Sequence, residues 1–346
     1  MEKSWGLLME KRPQMSEQLS KNEYARLLKE QGNYIITVEG IDWYDYSGFM
    51  MPAYLPHCCP TISPQISEKV VRISGRPFAR WDSEFGKVEI SEWWYVLKGG
   101  PWDVEKIKDK KKRWMIRQGR KYFSVHPLTF DEVVVECPKV AQLAAERYTG
   151  KAKVETRQIL EESISSAKKI PGVLEYIGCF RGNTLVSFSE NYIQSNAVWL
   201  ANIRHHPAFL KKYSSYGLMD GILDYYLNRK KMYYVLDGSR SIHHRTHFQE
   251  HLINVFGFTK EYALLNIVYS KKFGIAVKLA YPFRNIVWAL SNKLTPADSL
   301  LRSKTAEVLD NTCAVLRQEH IRKTCKKQIA HRPYSELADE SRTGWS

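Results

Sequence analysis

The run from Val173 to Ser270 restricts the fold more than any other part of the chain. "VLEYIGCF" and "TLVSFSENYI" are rich in β-branched, aromatic and small residues and are separated by "RGN", the spacing and turn chemistry of a β-hairpin. "AVWLANIR" reads as a third strand. "HHPAFLKKYSSYG" is a loop feeding a helix, "LMDGILDYYLNRK", and the buried strand "MYYVLDGS" follows. A further helix, from about Thr246 to Val255, leads to the strand "YALLNIVYS". An antiparallel start followed by strands alternating with helices calls for a mixed sheet with helices packed on it, an α/β (α+β) architecture.

Upstream the pattern is looser. A polar helical segment stops at Gly32, "NYIITVEG" alternates like a strand, and residues 41 to 98 offer short strands such as "GFMMPAYL" and "WWYVL". Gly99-Gly100-Pro101 breaks the chain, and Asp103 can cap a helix running to about Gly119. "KYFSV" reads as a strand. "TFDEVVVECPKVAQLAAERYTG" reads as helical in its second half, and "TRQILEESISSAKKI" as a helix stopped by Pro171-Gly172. "FGIAVKLAYPFRNIVWAL" is interrupted by Lys278, Pro282 and Arg284, too often for a membrane span. It reads as a core strand followed by a helix, with a place on a membrane surface as the alternative. Three sections follow: an N-terminal α/β lobe (1–130), a second domain (131–291), and a basic helical tail (292–346) expected to be disordered past Pro333.

With 346 residues a sizeable core is available, and a net charge of +15 favours anionic partners. Nine of the sixteen residues in "KIKDKKKRWMIRQGRK" (106–121) are Lys or Arg, either a solvated helix face or a contact for tRNA or an anionic membrane. Six cysteines without a CxxC pair, and an N-terminus without an apolar signal core, point to a reducing, cytoplasmic setting. A peripheral position at the inner face of the membrane fits the charge.

The stretch "KKYSSYGLMDG" sits between a strand and a helix. A first helical turn offers unpaired N–H groups and the positive dipole end, Gly217 permits close backbone approach, and Lys211 and Lys212 add charge. Lys212-x-x-Ser215-x-Gly217 in this position, with Tyr216 inside it, is similar to the pyrophosphate loop of the GNAT acyltransferases. Their pattern has Arg or Gln where Lys212 stands, and Gly where Ser215 stands. Together with "WWYVLKG", the basic run, "VLDGSRSIHHRTHFQEHLINVFGF", "LNIVY" and "YPFR", the chain resembles the FemAB-type branch, built of GNAT-like modules. The resemblance also takes in GNAT-like proteins of bacterial envelope and polysaccharide gene sets. It implies a GNAT-like mixed sheet with flanking helices, and leaves open whether residues 1–130 are a second GNAT-like lobe. It also implies acyl transfer, with acetyl-CoA or another acyl-CoA as donor, to an amine or hydroxyl of a small-molecule or lipid-linked sugar. In some FemAB relatives the donor is aminoacyl-tRNA. Backbone groups of Ala201, Asn202 and Ile203 would then orient the donor's pantetheine arm and polarise its carbonyl.

Direct attack needs a base rather than a covalent intermediate. His244, at the start of a helix, can accept a proton or simply cap. Asp237 ends a strand and points into a cleft beside the strand ends, where His244 also stands, or forms a turn. Glu190, on an otherwise apolar strand, is a base of raised pKa or faces solvent. Arg240 holds an acceptor carboxylate or phosphate, or pairs with Asp237. His243, His247 and His251 recur every four residues beside the apolar stripe Phe248, Leu252 and Phe256. Zinc needs a third ligand and a second shell, so no metal is expected. A non-catalytic GNAT-like binding module is the remaining reading.

Overall fold

The computed structural model describes residues 22–146, 154–240, 247–286, 289 and 308–318. The first section contains α1 (Glu23–Glu30), β1 (Ile35–Val38), β2 (Ile41–Tyr46), β3 (Phe49–Pro52), α2 (Pro64–Ser74), β4 (Phe78–Ser83) and β5 (Trp93–Gly99). Then come α3 (Lys110–Tyr122), β6 (Ser124–Pro127), α4 (Phe130–Ala145) and α5 (Arg157–Lys169). The legible run supplies β7 (Leu174–Arg181), β8 (Thr184–Gln194), β9 (Ala197–His205), α6 (Pro207–Leu210), α7 (Ser214–Leu223), β10 (Tyr234–Ser239), α8 (Phe248–Phe256), β11 (Thr259–Tyr269) and α9 (Lys271–Ala280).

All eleven strands join one mixed sheet in the order β1-β2-β3-β4-β11-β5-β10-β9-β8-β7-β6. β7, β8 and β9 are antiparallel neighbours, whereas β9 and β10 are parallel. The β8–β9 turn places Ser195 and Asn196 at φ 48° and 62°, the paired left-handed residues of a tight two-residue hairpin. β5, from the section expected to form a separate lobe, lies between β10 and β11 and is antiparallel to both.

Strand alternation builds two layers. On one face Ile177, Cys179, Val198, Leu200 and Val235 pack with Ile116 of α3, Leu218 and Ile222 of α7, and Leu252 and Phe256 of α8. On the other, Tyr176, Leu185 and Phe188 pack with Leu27 of α1, Val133 and Val140 of α4, and Leu160 and Ile164 of α5.

Several sequence boundaries shift. α4 starts at Phe130, in the half read as non-helical, because Thr129 and Glu132 form a reciprocal capping box there; Pro138 lies inside the helix. α3 continues past Gly119 to Tyr122. α7 begins at Ser214, four residues before the expected "LMDG" start. The "FGIAVKLA" segment is helical, not a core strand, and none of its residues is buried. Within the basic tail, residues 308–318 are helical; Gln318 accepts from the Leu265 N–H and donates to its carbonyl. The tail beyond Pro333 lies outside the described residues.

Candidate functional site

The parallel pairing of β9 and β10 is short. It covers Ala197/Tyr234, Val198/Val235 and Trp199/Leu236 and then ends, although both strands continue. Both carry an extra residue just past that point. Against β8 the register slips between Glu190/Asn202 and Asn191/Leu200, leaving Ala201 as the bulged residue. Against β5 it slips between Leu236 and Gly238, leaving Asp237 as the extra residue. Among the described residues, β9 therefore has no strand partner on its β10 side from Leu200 to His205. Ala201, Asn202 and Ile203 lie in that unpartnered stretch, and Asp237 lies on β10 immediately beyond the last pair.

Asp237 is half-buried, and its carboxylate accepts a 3.1 Å hydrogen bond from Gln249 of α8. Gln249 also donates to the Ser239 carbonyl, so one amide ties the end of β10 to the first turn of α8. Burial pushes the Asp237 pKa up to about 6, with the Gln249 bond acting the other way. His244 lies outside the described residues, as does His243.

The α7 N-terminus stands at the same end of these strands, since β9 runs into it through α6. Tyr213 precedes it in the left-handed region (φ 67°) and supplies no side-chain cap. The first intrahelical bond there runs from Gly217 N–H to Tyr213 C=O, which leaves the N–H groups of Ser214, Ser215 and Tyr216 as first-turn donors. The Ser214 hydroxyl is buried and has no hydrogen-bond partner among the described residues. Lys212 is exposed, with its ammonium 5.3 Å from the Phe209 ring centre.

Gly217 has a different reason for its missing Cβ than the sequence suggested. α3 crosses α7 there, and a Cβ on Gly217 would sit 3.1 Å from the Gly119 carbonyl oxygen. A Cβ on Gly119 would lie 2.4 Å from Gly217 N and 2.8 Å from its Cα. The close approach is between two helices, and it brings the basic helix beside the candidate phosphate loop. Trp114 of α3 meets Tyr213 edge-on at 5.4 Å. Within the run, Lys112 pairs with Asp109, Arg117 with Glu105 and Arg120 with Asp220, while Lys110, Lys111 and Lys121 are exposed. Asp220 is buried and also accepts from the Trp102 indole at 2.8 Å.

The four histidines part company. His247 stands at the N-cap position of α8 without a side-chain cap bond, is exposed and pairs with Glu250 at 2.9 Å. His251 turns inward, edge-on to Tyr216 at 5.3 Å. It faces His205 at the end of β9, whose Nδ1 lies 2.8 Å from Ser187 Oγ. Burial, with a smaller contribution from His251, lowers the His205 pKa to about 4, so the ring is neutral at pH 7. Sequence reading missed His205 and Gln249. Strand alternation from Ile203 would have placed His205 on the inner face; nothing local marked Gln249.

Glu190 lies on the opposite face of the sheet from His205 and α7. It faces Tyr176 and Asn202 across the neighbouring strands and accepts a 3.1 Å bond from the Tyr192 hydroxyl. Burial raises its pKa. Beside it Glu155 receives Asn202 at 2.7 Å and both Nε and an Nη of Arg204, at 3.0 and 2.6 Å. Arg240 pairs with Asp310, not with Asp237, and its guanidinium lies 5.3 Å from the Trp93 ring centre. Among the described residues no group of three or more His, Cys, Asp and Glu side chains is arranged to hold a metal ion. Nor is any described helix long and apolar enough to cross a membrane.

The mixed sheet with helices on both faces agrees with the architecture expected from the sequence, and its parallel strands β9 and β10 part beside the α7 N-terminus. No protein-family model matches the chain, and no curated protein matches its sequence. Solved structures similar to it include FemX, at 7% identity and TM-score 0.49 over 73% of this chain and 96% of that one. L-PGS from Bacillus licheniformis is similar at 12% identity and TM-score 0.44, over 71% and 86%. A GCN5-related N-acetyltransferase from Kribbella flavida is similar at 8% identity and TM-score 0.38, over 72% and 95%.

Proposed function

We propose that the chain is a transferase that moves an acyl group from acyl-CoA to an amine or hydroxyl of an envelope or polysaccharide precursor. The observation that carries this reading is the parting of β9 and β10 after Trp199 and Leu236, with Asp237 beside it and the α7 N-terminus at the same end. The donor phosphates would meet the first-turn N–H groups of Ser214 to Tyr216, with Lys212 adding charge. The acyl arm would follow the unpartnered side of Leu200 to Ile203, where backbone groups can hold it and polarise its carbonyl. The acceptor nitrogen or oxygen attacks the carbonyl carbon, its proton passes to a base, and the CoA thiolate leaves. Asp237 is the first choice of base. A carboxyl titrating at about 6 is still ionised at pH 7, yet takes a proton more readily than an ordinary aspartate. Glu190, on the other face, would act on the acceptor with Glu155 and Arg204. Arg240 remains a candidate acceptor contact if Asp310 gives way.

A second reading is aminoacyl transfer from charged tRNA. It is favoured by α3, which meets the α7 N-terminus through Gly119 and Trp114 while its lysines Lys110, Lys111 and Lys121 stay exposed. In either reading the acceptor is an envelope precursor met on the cytoplasmic side, with the protein peripheral to the membrane.

Calorimetric titration with acetyl-CoA, CoA and aminoacyl-tRNA tests the proposal, alongside Ser215→Asp. An aspartate in a first helical turn favours the helix but repels phosphate. Gly217→Trp would instead force α3 off α7. Saturable CoA binding, lost in Ser215→Asp without loss of melting temperature, supports acyl-CoA as donor. Absent CoA binding with salt-steep tRNA binding supports the second reading. Neither kind of binding would leave the chain a non-catalytic binding module.

A further inference from the structure

α9 carries two apolar stripes, and the fold uses only one. Phe273, Val277 and Tyr281 recur every four residues and face the protein half-buried. Phe273 stacks on Phe78 at 6.1 Å and lies 5.9 Å from Tyr269, and Ser270 N–H bonds the Pro77 carbonyl. The other stripe is Ile275, Leu279, Phe283 and Ile286, spaced i, i+4, i+8 and i+11, and it faces outward. These side chains are 61%, 70%, 60% and 58% exposed, and no other stretch of the described chain exposes so many large apolar residues so close together.

The charge around the stripe is of one sign. Residues 271–286 hold Lys271, Lys272, Lys278 and Arg284 and no acidic side chain. The helix is tied through Ser270 and Pro77 to the end of α2, which shows Arg72 and a 51% exposed Ile73. We propose that α9 and the turn that follows it form an interfacial helix that seats on an anionic lipid surface, its outer stripe among the acyl chains and its lysines at the headgroups. An apolar strip edged by cations fits such a surface on both counts. A second copy of the chain would set the same four cations against themselves, on a molecule whose net charge is +15. The proposal rests on α9 alone and not on the transfer chemistry.

The full-length protein is sedimented with vesicles of phosphatidylglycerol and phosphatidylcholine, and with vesicles of phosphatidylcholine alone. Three forms are compared: wild type, Ile275→Glu/Leu279→Glu, and Lys271→Glu/Lys278→Glu. The exchanged side chains are all exposed, and circular dichroism and melting temperature on the same preparations check that the fold is intact. Wild type should sediment with the anionic vesicles, and each double variant should lose binding by about tenfold or more. Phosphatidylcholine alone should bind wild type weakly. The proposal is overturned if wild type stays in the supernatant with anionic vesicles, or if the variants sediment as wild type does. It is also overturned if wild type elutes as a dimer that Ile275→Glu/Leu279→Glu converts to monomer, because a second copy then covers the stripe.

Discussion

Replacing Gly119 by alanine isolates the contact that joins the basic helix to the candidate donor loop. The added Cβ would stand 2.4 Å from Gly217 N, 2.8 Å from Gly217 Cα and 3.0 Å from the Tyr213 carbonyl oxygen. All three are backbone atoms, so no rotamer change relieves them. Ordinary contact needs about 3.5 Å, so α3 must retreat from α7 by roughly 1 Å. Overpacking of this kind costs about 1–3 kcal/mol, and alanine returns up to about 1 kcal/mol of helix propensity. The balance is a loss of about 1–2 kcal/mol, or about 1–3 °C in melting temperature. Gly217→Ala meets Gly119 at a looser 3.1 Å, so its propensity gain offsets most of the crowding and its melting temperature should stay near wild type. Thermal unfolding followed by circular dichroism ranks the two. A Gly119→Ala protein as stable as wild type, or more so, would refute the reasoning, because propensity would then act without a clash. Donor affinity should fall with stability in Gly119→Ala, since the α7 first turn shifts with the contact.

Other outcomes follow from the same geometry. Asp237→Asn should slow transfer by about a hundredfold or more, and wild-type rate should rise with pH through about 6 as the carboxyl ionises; a flat pH profile would remove it as the base. Its raised pKa also weakens the fold. The folded state keeps the proton after the unfolded chain has lost it, so stability declines as pH climbs from about 4 to about 6. Urea unfolding at both ends of that window should show a smaller decline in Asp237→Asn. Asp220→Ala strands the Trp102 indole and the Arg120 guanidinium and should cost about 2–4 kcal/mol in urea unfolding. If charged tRNA is the donor carrier, neutralising Lys110 and Lys111 should reduce the salt slope of binding by about one or two units, whereas CoA affinity should hardly move.

The half of the fold that could be read in advance is the half whose signals are local. β7 to β11 each carry a β-rich run bounded by Gly, Asn or Pro, and the helices between them carry their own periodicity. The misread helices obey other rules. The helix formers of α4 lie in its second half, yet the helix starts at Phe130, where Thr129 and Glu132 form a capping box ahead of Pro138. Gly119 reads as a helix stop but is an interior residue, needed because another helix passes through the space of its side chain. "FGIAVKLA" reads as a core strand leading to a helix but is itself helical and unburied, since a dense apolar stretch does not say whether it is buried. At the candidate site, Asp237 can be placed at a strand end from the sequence, and Ala201–Ile203 on the strand before the proposed phosphate loop. The bulges that set them beyond the last β9–β10 pair come from register with β5 and β8, which no local window contains. Arg240 reads from the sequence as an acceptor contact or a partner of Asp237, yet it pairs with Asp310, seventy positions away.

The place of β5 has a consequence for synthesis. This strand leaves the ribosome more than a hundred residues before β10 and β11, the two strands between which it is bonded. Until they emerge, both of its edges carry unpaired N–H and C=O groups on a nearly continuous run of Trp93, Trp94, Tyr95, Val96 and Leu97. The nascent chain must keep that ribbon from pairing elsewhere, and Lys98 beside it and the dense cations of α3 just downstream are suited to do so by repulsion. The same wiring makes cutting the chain near residue 130 hazardous. It would leave β10 and β11 with a strand-wide gap between them, so the second section made alone should aggregate, and adding the first section as a separate polypeptide should restore solubility by filling that gap.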